Sequence, residues 1–203
     1  MQGFHCATCG EYHDELPTTF GAPAPAAWYD LPEAEREQRA PLSSDQCIID
    51  DTHHFVLGRL EIPIIGSPEP FVWLTWVTVS EADFYRTSEL WETPGREREP
   101  PYAARVQSEF PYEVSTLNLK ATLQTQALGD RPLVFVDAGD HPLALQQNTG
   151  ITHDQARQLA ERCHLQQPLI ALQRRIPRLF AAAEQEPVPG RGDNPLSQRE
   201  MAV

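Results

Sequence analysis

Cys6 and Cys9 are the first residues in the chain whose types and spacing could do chemistry. They stand two residues apart in FHCATCGEYH, with Gly10 directly after the second and His13 three residues further on. A Cys-x-x-Cys turn can aim two thiolates at one centre without strain, and the glycine supplies the positive φ that closes a zinc knuckle. His13 is a third candidate ligand. A fourth has to come from further along the chain, and Cys47 is the choice, because it opens a strand and its thiol could face the N-terminal turn. His53 and His54 compete with it, but neighbouring strand residues point to opposite faces, so both can rarely serve one site. Thioredoxin-like redox chemistry places the pair at a helix N-terminus, which lowers the first thiol's pKa. No amphipathic helix starts after Gly10, so that chemistry recedes. Two readings stay open: zinc held by Cys6, Cys9, His13 and Cys47, or a turn that holds two thiols and no cofactor.

A second cluster, Asp137, Asp140 and His141, follows a strand, where loops often carry function. A carboxylate–histidine dyad there could act as a general base. No Ser or Cys nucleophile stands near it in sequence, and the chain has no GxSxG or HExxH motif. Asp-His-Pro is also an ordinary turn, which is the stronger reading. The phosphate-cradling patterns GxGxxG and GxxxxGK[ST] are absent. Arg174, Arg175 and Arg178 read as a solvated helix face, with an acidic partner or the chain's own acidic body as the other use. The Arg191-Gly192-Asp193 tripeptide is read as chance. Cys163 falls on a helical apolar stripe and reads as core.

The elements that must position these residues are short and interrupted by 19 prolines. Residues 4–13 read as a turn between two extended pieces, and residues 17–32 as an ordered loop anchored by Trp28 and Tyr29. Residues 32–39 form a short helix with Pro in its first turn, capped by Asp30. Residues 47–64 read as strand, turn at Asp50–Thr52, and strand. In 70–79, Phe71, Trp73, Thr75 and Val77 alternate with Val72, Leu74, Trp76 and Thr78, and both sets are largely apolar, so this strand is expected to be central. Ser80 and Asp83 mark the start of a helix over 80–91 that buries Ala82, Tyr85, Leu90 and Trp91. Strands are expected over 114–126 and 132–137, around a turn at Gly129–Asp130, and an irregular segment over 140–150. Thr152 with Gln155 forms a capping box for a helix whose stripe is Ala156, Leu159, Ala160 and Cys163. A last helix-like stretch spans 169–184, and 187–203 has the composition of a disordered tail.

The chain has 203 residues, 40% of them hydrophobic, which suits one domain over 1–186. Net charge is −13, and residues 1–150 carry 23 Asp and Glu against 9 Lys and Arg. Such a body repels phosphate backbones and anionic lipid, which argues against nucleic acid and membrane partners. No run approaches the roughly 20 apolar residues of a membrane span, and the N-terminus lacks the features of a secretory signal. The expected location is the cytoplasm, where cysteines stay reduced or hold metal.

Four segments occur in order: FHCATCGEYHDELP, LSSDQCIIDDTHHFVLGRLEIPI, FVWLTWVTVSEADF and YEVSTLNLKATLQTQALGDRPLVFVDAGDHPLALQQNTGIT. Together, over residues 4–165, they resemble the bacterial family named domain of unknown function 2199. The resemblance implies that Cys6, Cys9, Gly10, His13, Cys47 and the turn Asp140-His141-Pro142-Leu143 sit at family motif positions. It implies no activity. The chain departs from the family pattern at Leu57-Gly58-Arg59, where Arg-Gly is usual, and at Trp73-Leu74, where Trp-Gly is usual.

The expected fold is α+β, a mainly antiparallel sheet with flanking helices and an N-terminal Cys-x-x-Cys knuckle. The expected function is a non-enzymatic, zinc-stabilised module that binds a protein partner, and the acidic charge suits a basic one. The alternative is an enzyme or small-ligand binder with its site near Asp140, His141 and the Trp73/Trp76 strand.

Overall fold

The computed structural model describes residues 4–5, 11–13, 16–137 and 139–165. The expected helix over 169–184 and the tail lie outside them. In chain order the strands are β1 (Phe4–His5), β2 (Tyr12–His13), β3 (Thr19–Gly21), β4 (Gln46–Ile49), β5 (His53–Ile62), β6 (Phe71–Val79), β7 (Tyr102–Val106), β8 (Lys120–Gln124) and β9 (Leu133–Val136). The helices are α1 (Ala26–Tyr29), α2 (Glu33–Arg39), α3 (Glu81–Glu89), α4 (Pro142–Thr149) and α5 (His153–Leu165). Among the described residues no helix is long and apolar enough to cross a membrane.

Strands β5 to β9 form an antiparallel meander that closes on itself as a small barrel. The closing contact is parallel and short: Arg59 of β5 pairs with Leu133 of β9. Strand β4 adds antiparallel to β5, and β3 adds parallel to β6. The α+β class with a mainly antiparallel sheet is therefore observed.

The alternation in β5 and β6 explains why both strands are buried on two faces. Val56, Leu60 and Ile62 of β5 join Phe71, Trp73 and Val77 of β6 in the main core, which also takes Val106, Leu123 and Val134. The helices α4 and α5 contribute Leu143, Ala144, Ala156, Leu159, Ala160 and Cys163 to the same core. Phe55, Leu57 and Trp76 point the other way, into a second cluster with Cys47 and Ile49. The segment from Ala22 to Leu42 covers that cluster with Ala27, Trp28, Leu31 and Ala40. Two indole N–H groups fasten the cover: Trp76 Nε1 donates to the Ala22 carbonyl at 3.0 Å and Trp28 Nε1 to the Ala40 carbonyl at 3.3 Å. Trp28 anchors this cover as expected, whereas Tyr29 is exposed, and residues 17–32, expected as loop, contain the short elements β3 and α1.

Several expectations need correction. Strand β7 was not anticipated, and β8 is shorter than the expected 114–126. Thr116 explains the difference: its hydroxyl donates to the Ser108 carbonyl at 2.7 Å and accepts from Phe110 N–H at 3.0 Å, which holds 114–116 in a loop. Asn118, at φ 63°, breaks the extended run before β8 begins. Residues 142–149 are a helix rather than an irregular segment, started by Pro142 in the first turn and ended at Gly150, at φ 78°. Helix α2 has Pro32 at its N-cap and no side-chain cap, so Asp30 does not cap it. Helix α3 buries Phe84 and Thr87, while Tyr85 and Trp91 are exposed. Its cap is as expected, with Ser80 Oγ accepting from Asp83 N–H at 3.1 Å. The reciprocal Thr152–Gln155 box and the α5 stripe also stand as expected.

Candidate functional site

The N-terminal hairpin supplies the frame for the first candidate. Strands β1 and β2 pair with Phe4 opposite His13 and His5 opposite Tyr12, so the backbone on either side of residues 6–10 comes together. Cys6, Cys9 and Gly10 lie outside the described residues. Cys47, on β4 opposite Phe55, is 1% exposed. Its surroundings are the hydrocarbon of Ala40, Ile49, Phe55, Leu57 and Trp76. Burial there pushes its thiol up to about 12. A metal ligand has to be the thiolate, so this setting favours the neutral thiol. Among the described residues no group of three or more His, Cys, Asp or Glu converges on a metal position. His53 is exposed, while His54 is buried with its ring 5.1 Å from that of Phe84 and 5.8 Å from that of Tyr85.

The second candidate has a structural job. His141 is the N-cap of α4: its Nδ1 accepts from the Leu143 N–H at 3.1 Å. Nδ1 therefore acts as the acceptor, and Nε2 carries the hydrogen that faces the Val114 carbonyl at 3.3 Å. Both ring nitrogens are turned to backbone, which is a capping arrangement rather than that of a general base. Tyr112 packs beside the ring at 5.9 Å between centroids and donates to Gln146 Oε1 at 2.7 Å. Burial pushes the Tyr112 hydroxyl up to about 12, so it stays protonated. Asp137 and Asp140 are exposed.

A groove of about 570 Å³ opens where the covering segment ends and α3 stops. Residues 43–46 form one wall, and Ser88, Glu89, Trp91 and Glu92 the other. Gln46 Nε2 donates to Ser88 Oγ at 2.7 Å, and that hydroxyl donates to the Phe84 carbonyl at 3.1 Å, so the two walls are tied together. Asp45 accepts from Ser44 Oγ at 2.6 Å and pairs with Arg131, which fixes its carboxylate. Glu89 is the last residue of α3, at the negative end of the helix dipole, and Glu92 stands three residues on. Trp91 is held by Arg96, whose guanidinium lies 5.5 Å from the indole centroid and donates to the Trp91 carbonyl at 2.8 Å. Arg96 is buried, and it also donates to the carbonyls of Gln126, Ala127 and Asp130, so it fastens this loop to the β8–β9 turn. The groove thus combines carboxylates, a helix C-terminus and an indole, groups that attract a cation.

By sequence pattern Trp91 belongs to the core and Arg96 to a plain polar loop, whereas Trp91 is exposed and Arg96 is buried. The Glu89/Trp91/Glu92 spacing was visible in sequence, but the opposite wall, more than 40 residues away, carried no local signal.

Residues 5–151 match the family described as "Uncharacterized protein conserved in bacteria (DUF2199)". No curated protein and no solved structure matches the chain.

Proposed function

The chain belongs to this family of uncharacterised bacterial proteins, and from that premise we propose that it is a non-enzymatic binding module for a basic protein surface. The observation that carries the reading is the groove at the end of α3, which Glu89, Glu92 and Asp45 line together with the partly exposed Trp91. A Lys or Arg side chain entering it meets carboxylates, helix carbonyls and an indole face together. The net charge of −13 supplies long-range attraction for such a partner.

The proposal includes zinc at the N-terminal hairpin, with Cys6, Cys9 and His13 as ligands and Cys47 as the candidate fourth. A closed four-ligand zinc is structural and leaves no open position for a substrate. The hydrocarbon around Cys47 works against a thiolate, which makes Cys47→Ser the deciding variant. Zinc lost from both Cys6→Ser and Cys47→Ser gives the four-ligand site. Zinc lost from Cys6→Ser alone leaves Cys47 in the core. Wild-type protein purified reduced, without chelator and free of metal, refutes the zinc.

The binding reading is tested by calorimetric titration of the full chain with an oligoarginine peptide over a range of salt. The Trp91→Ala variant is expected to weaken binding about three- to fivefold, the worth of an exposed cation–π contact. A Glu89→Gln/Glu92→Gln variant is expected to flatten the salt dependence. Equal affinity and equal salt slope in wild type and both variants would mean that the peptide reads net charge alone, and the groove would lose its role.

A further inference from the structure

Arg105 of β7 and Lys120 of β8 stand directly opposite each other. Like charges at opposed antiparallel positions repel and weaken a sheet. Most other arginines of the body are matched: Arg39 pairs with Glu35 and Asp50, Arg86 with Glu99, Arg131 with Asp45, and Arg157 with Glu161. Among the described residues neither Arg105 nor Lys120, the one lysine of the chain, has an ion-pair partner.

The register extends the pair into a row. Thr78 of β6 lies opposite Arg105, and Asp137 N–H donates to the Lys120 carbonyl at 2.9 Å. Residues paired across strands share a face, so hydroxyl, guanidinium and ammonium line up across the barrel, with Asp137 at the far end. Arg105 Nη1 donates to the Asn118 carbonyl at 3.1 Å, and Asn118 Oδ1 accepts from Gln107 Nε2 at 2.8 Å, which holds the guanidinium in place. The row lines a groove of about 360 Å³ whose remaining lining includes Ala103, Ala104 and Ala121. Ala104 and Ala121 face the core, and Ala103, two residues from Arg105 on the outward face, leaves room that a bulkier side chain would fill; the volume is that of a small-molecule site.

We propose that this groove binds a small anion, a carboxylate or phosphate, between Arg105 and Lys120. Asp137 accepts a hydrogen bond from a hydroxyl or ammonium of the same molecule. Guanidinium and ammonium bind such oxygens through charge-assisted bonds, and the anion converts their mutual repulsion into shared attraction. The acidic body repels polyanions, so the occupant is a small molecule and not a nucleic acid. This site is separate from the α3 groove and does not depend on it.

Inorganic phosphate and acetate are the probes, each compared with sodium chloride at matched ionic strength, with thermal unfolding and amide NMR shifts as readouts. The expected result is a Tm rise of about 3 °C at a tenfold excess over Kd, with shifts at Thr78, Arg105 and Lys120. Lys120→Gln is expected to unfold no earlier than wild type without anion, and both Lys120→Gln and Arg105→Gln to lose about tenfold in anion affinity. A response to phosphate alone assigns a phosphate ligand, and a response to acetate alone a carboxylate. Effects that follow ionic strength only, or anion binding kept in both variants, overturn the proposal.

Discussion

Gly58→Ala tests whether the barrel closes where β5 meets β9. Gly58 has ordinary extended backbone, so alanine is conformationally allowed there and only space decides the outcome. A Cβ at this position would lie 2.5 Å from Val134 Cγ2, 3.1 Å from the Pro132 carbonyl oxygen and 3.2 Å from Leu123 Cδ1. The Pro132 oxygen cannot retreat freely, because it accepts the Arg59 N–H at 2.8 Å, the bond beside the closing pair. Two effects oppose each other. Replacing glycine narrows the unfolded ensemble and stabilises by about 0.4–1 kcal/mol. Overpacking a filled interior costs about 1–3 kcal/mol. The immobile carbonyl places the cost toward the upper part of its range, so the net expectation is a loss of about 1–2 kcal/mol, or about 2–8 °C in Tm. Urea unfolding of Gly58→Ala, Val134→Ala and the double variant measures it. Val134→Ala removes the closest methyl, so the double variant should recover about 1 kcal/mol relative to additivity. A Gly58→Ala protein as stable as wild type, or strict additivity in the cycle, would refute this account of the closure.

The remaining predictions concern the buried groups around this frame. Burial pushes Cys47 and Cys163 up to about 12, against about 8.5 in an unfolded chain. Both states are protonated below that lower value; above it the unfolded chain alone loses protons, so stability falls as pH rises toward 12. A flat urea midpoint between pH 8 and 10.5 would contradict this, as would fast thiol labelling of folded Cys6→Ser/Cys9→Ser protein at pH 8. Gln147 ties α4 to β9, donating through Nε2 to the Val134 carbonyl at 2.8 Å and accepting from Val136 N–H at 2.8 Å. Gln147→Ala should cost about 1–3 kcal/mol and speed amide exchange at Val136; unchanged exchange would mean that the strand does not need the side chain.

What was legible in the sequence was local. The β6 alternation, with apolar residues in both phases, needs only the pleat, and the strand is buried on both faces as that pattern requires. The Ser80–Asp83 and Thr152–Gln155 caps span three residues each, so the sequence contains both partners. Strand β7 escaped because Tyr102, Ala103, Ala104, Arg105 and Val106 mix strong and weak strand formers directly after two prolines. Its inward set of Tyr102, Ala104 and Val106 was the available signal. Helix α4 escaped because only Leu143 and Ala144 are buried, too few to show a helical period. The Cys47 environment and the barrel seam are matters of register between distant segments, and the identity of a residue does not state its register. Leu57-Gly58-Arg59 falls on that seam, which gives Gly58 a steric reason to be glycine in this chain.

Two features break local rules for a small structural return, an exposed Arg86–Glu89 pair at 3.7 Å and the Arg105 bond to the Asn118 carbonyl, and both line grooves. Glu89 and Glu92 put negative charge at the negative end of α3, where a cation would suit the helix better. Arg105 and Lys120 oppose each other across a strand pair. Stability does not ask for either arrangement, since the two apolar clusters account for the packing and exposed ion pairs contribute little. Local conflict for so small a structural return is the pattern expected at binding sites. The two grooves also carry opposite signs, so one inert salt cannot mimic both ligands. Neutralising Glu89 and Glu92 should leave stability unchanged or raised while weakening oligoarginine. Neutralising Lys120 should do the same for stability while weakening only the anion. A loss of stability in either variant would show that the charges of that groove serve the fold after all, and the reading of that groove as a binding site would fall with it.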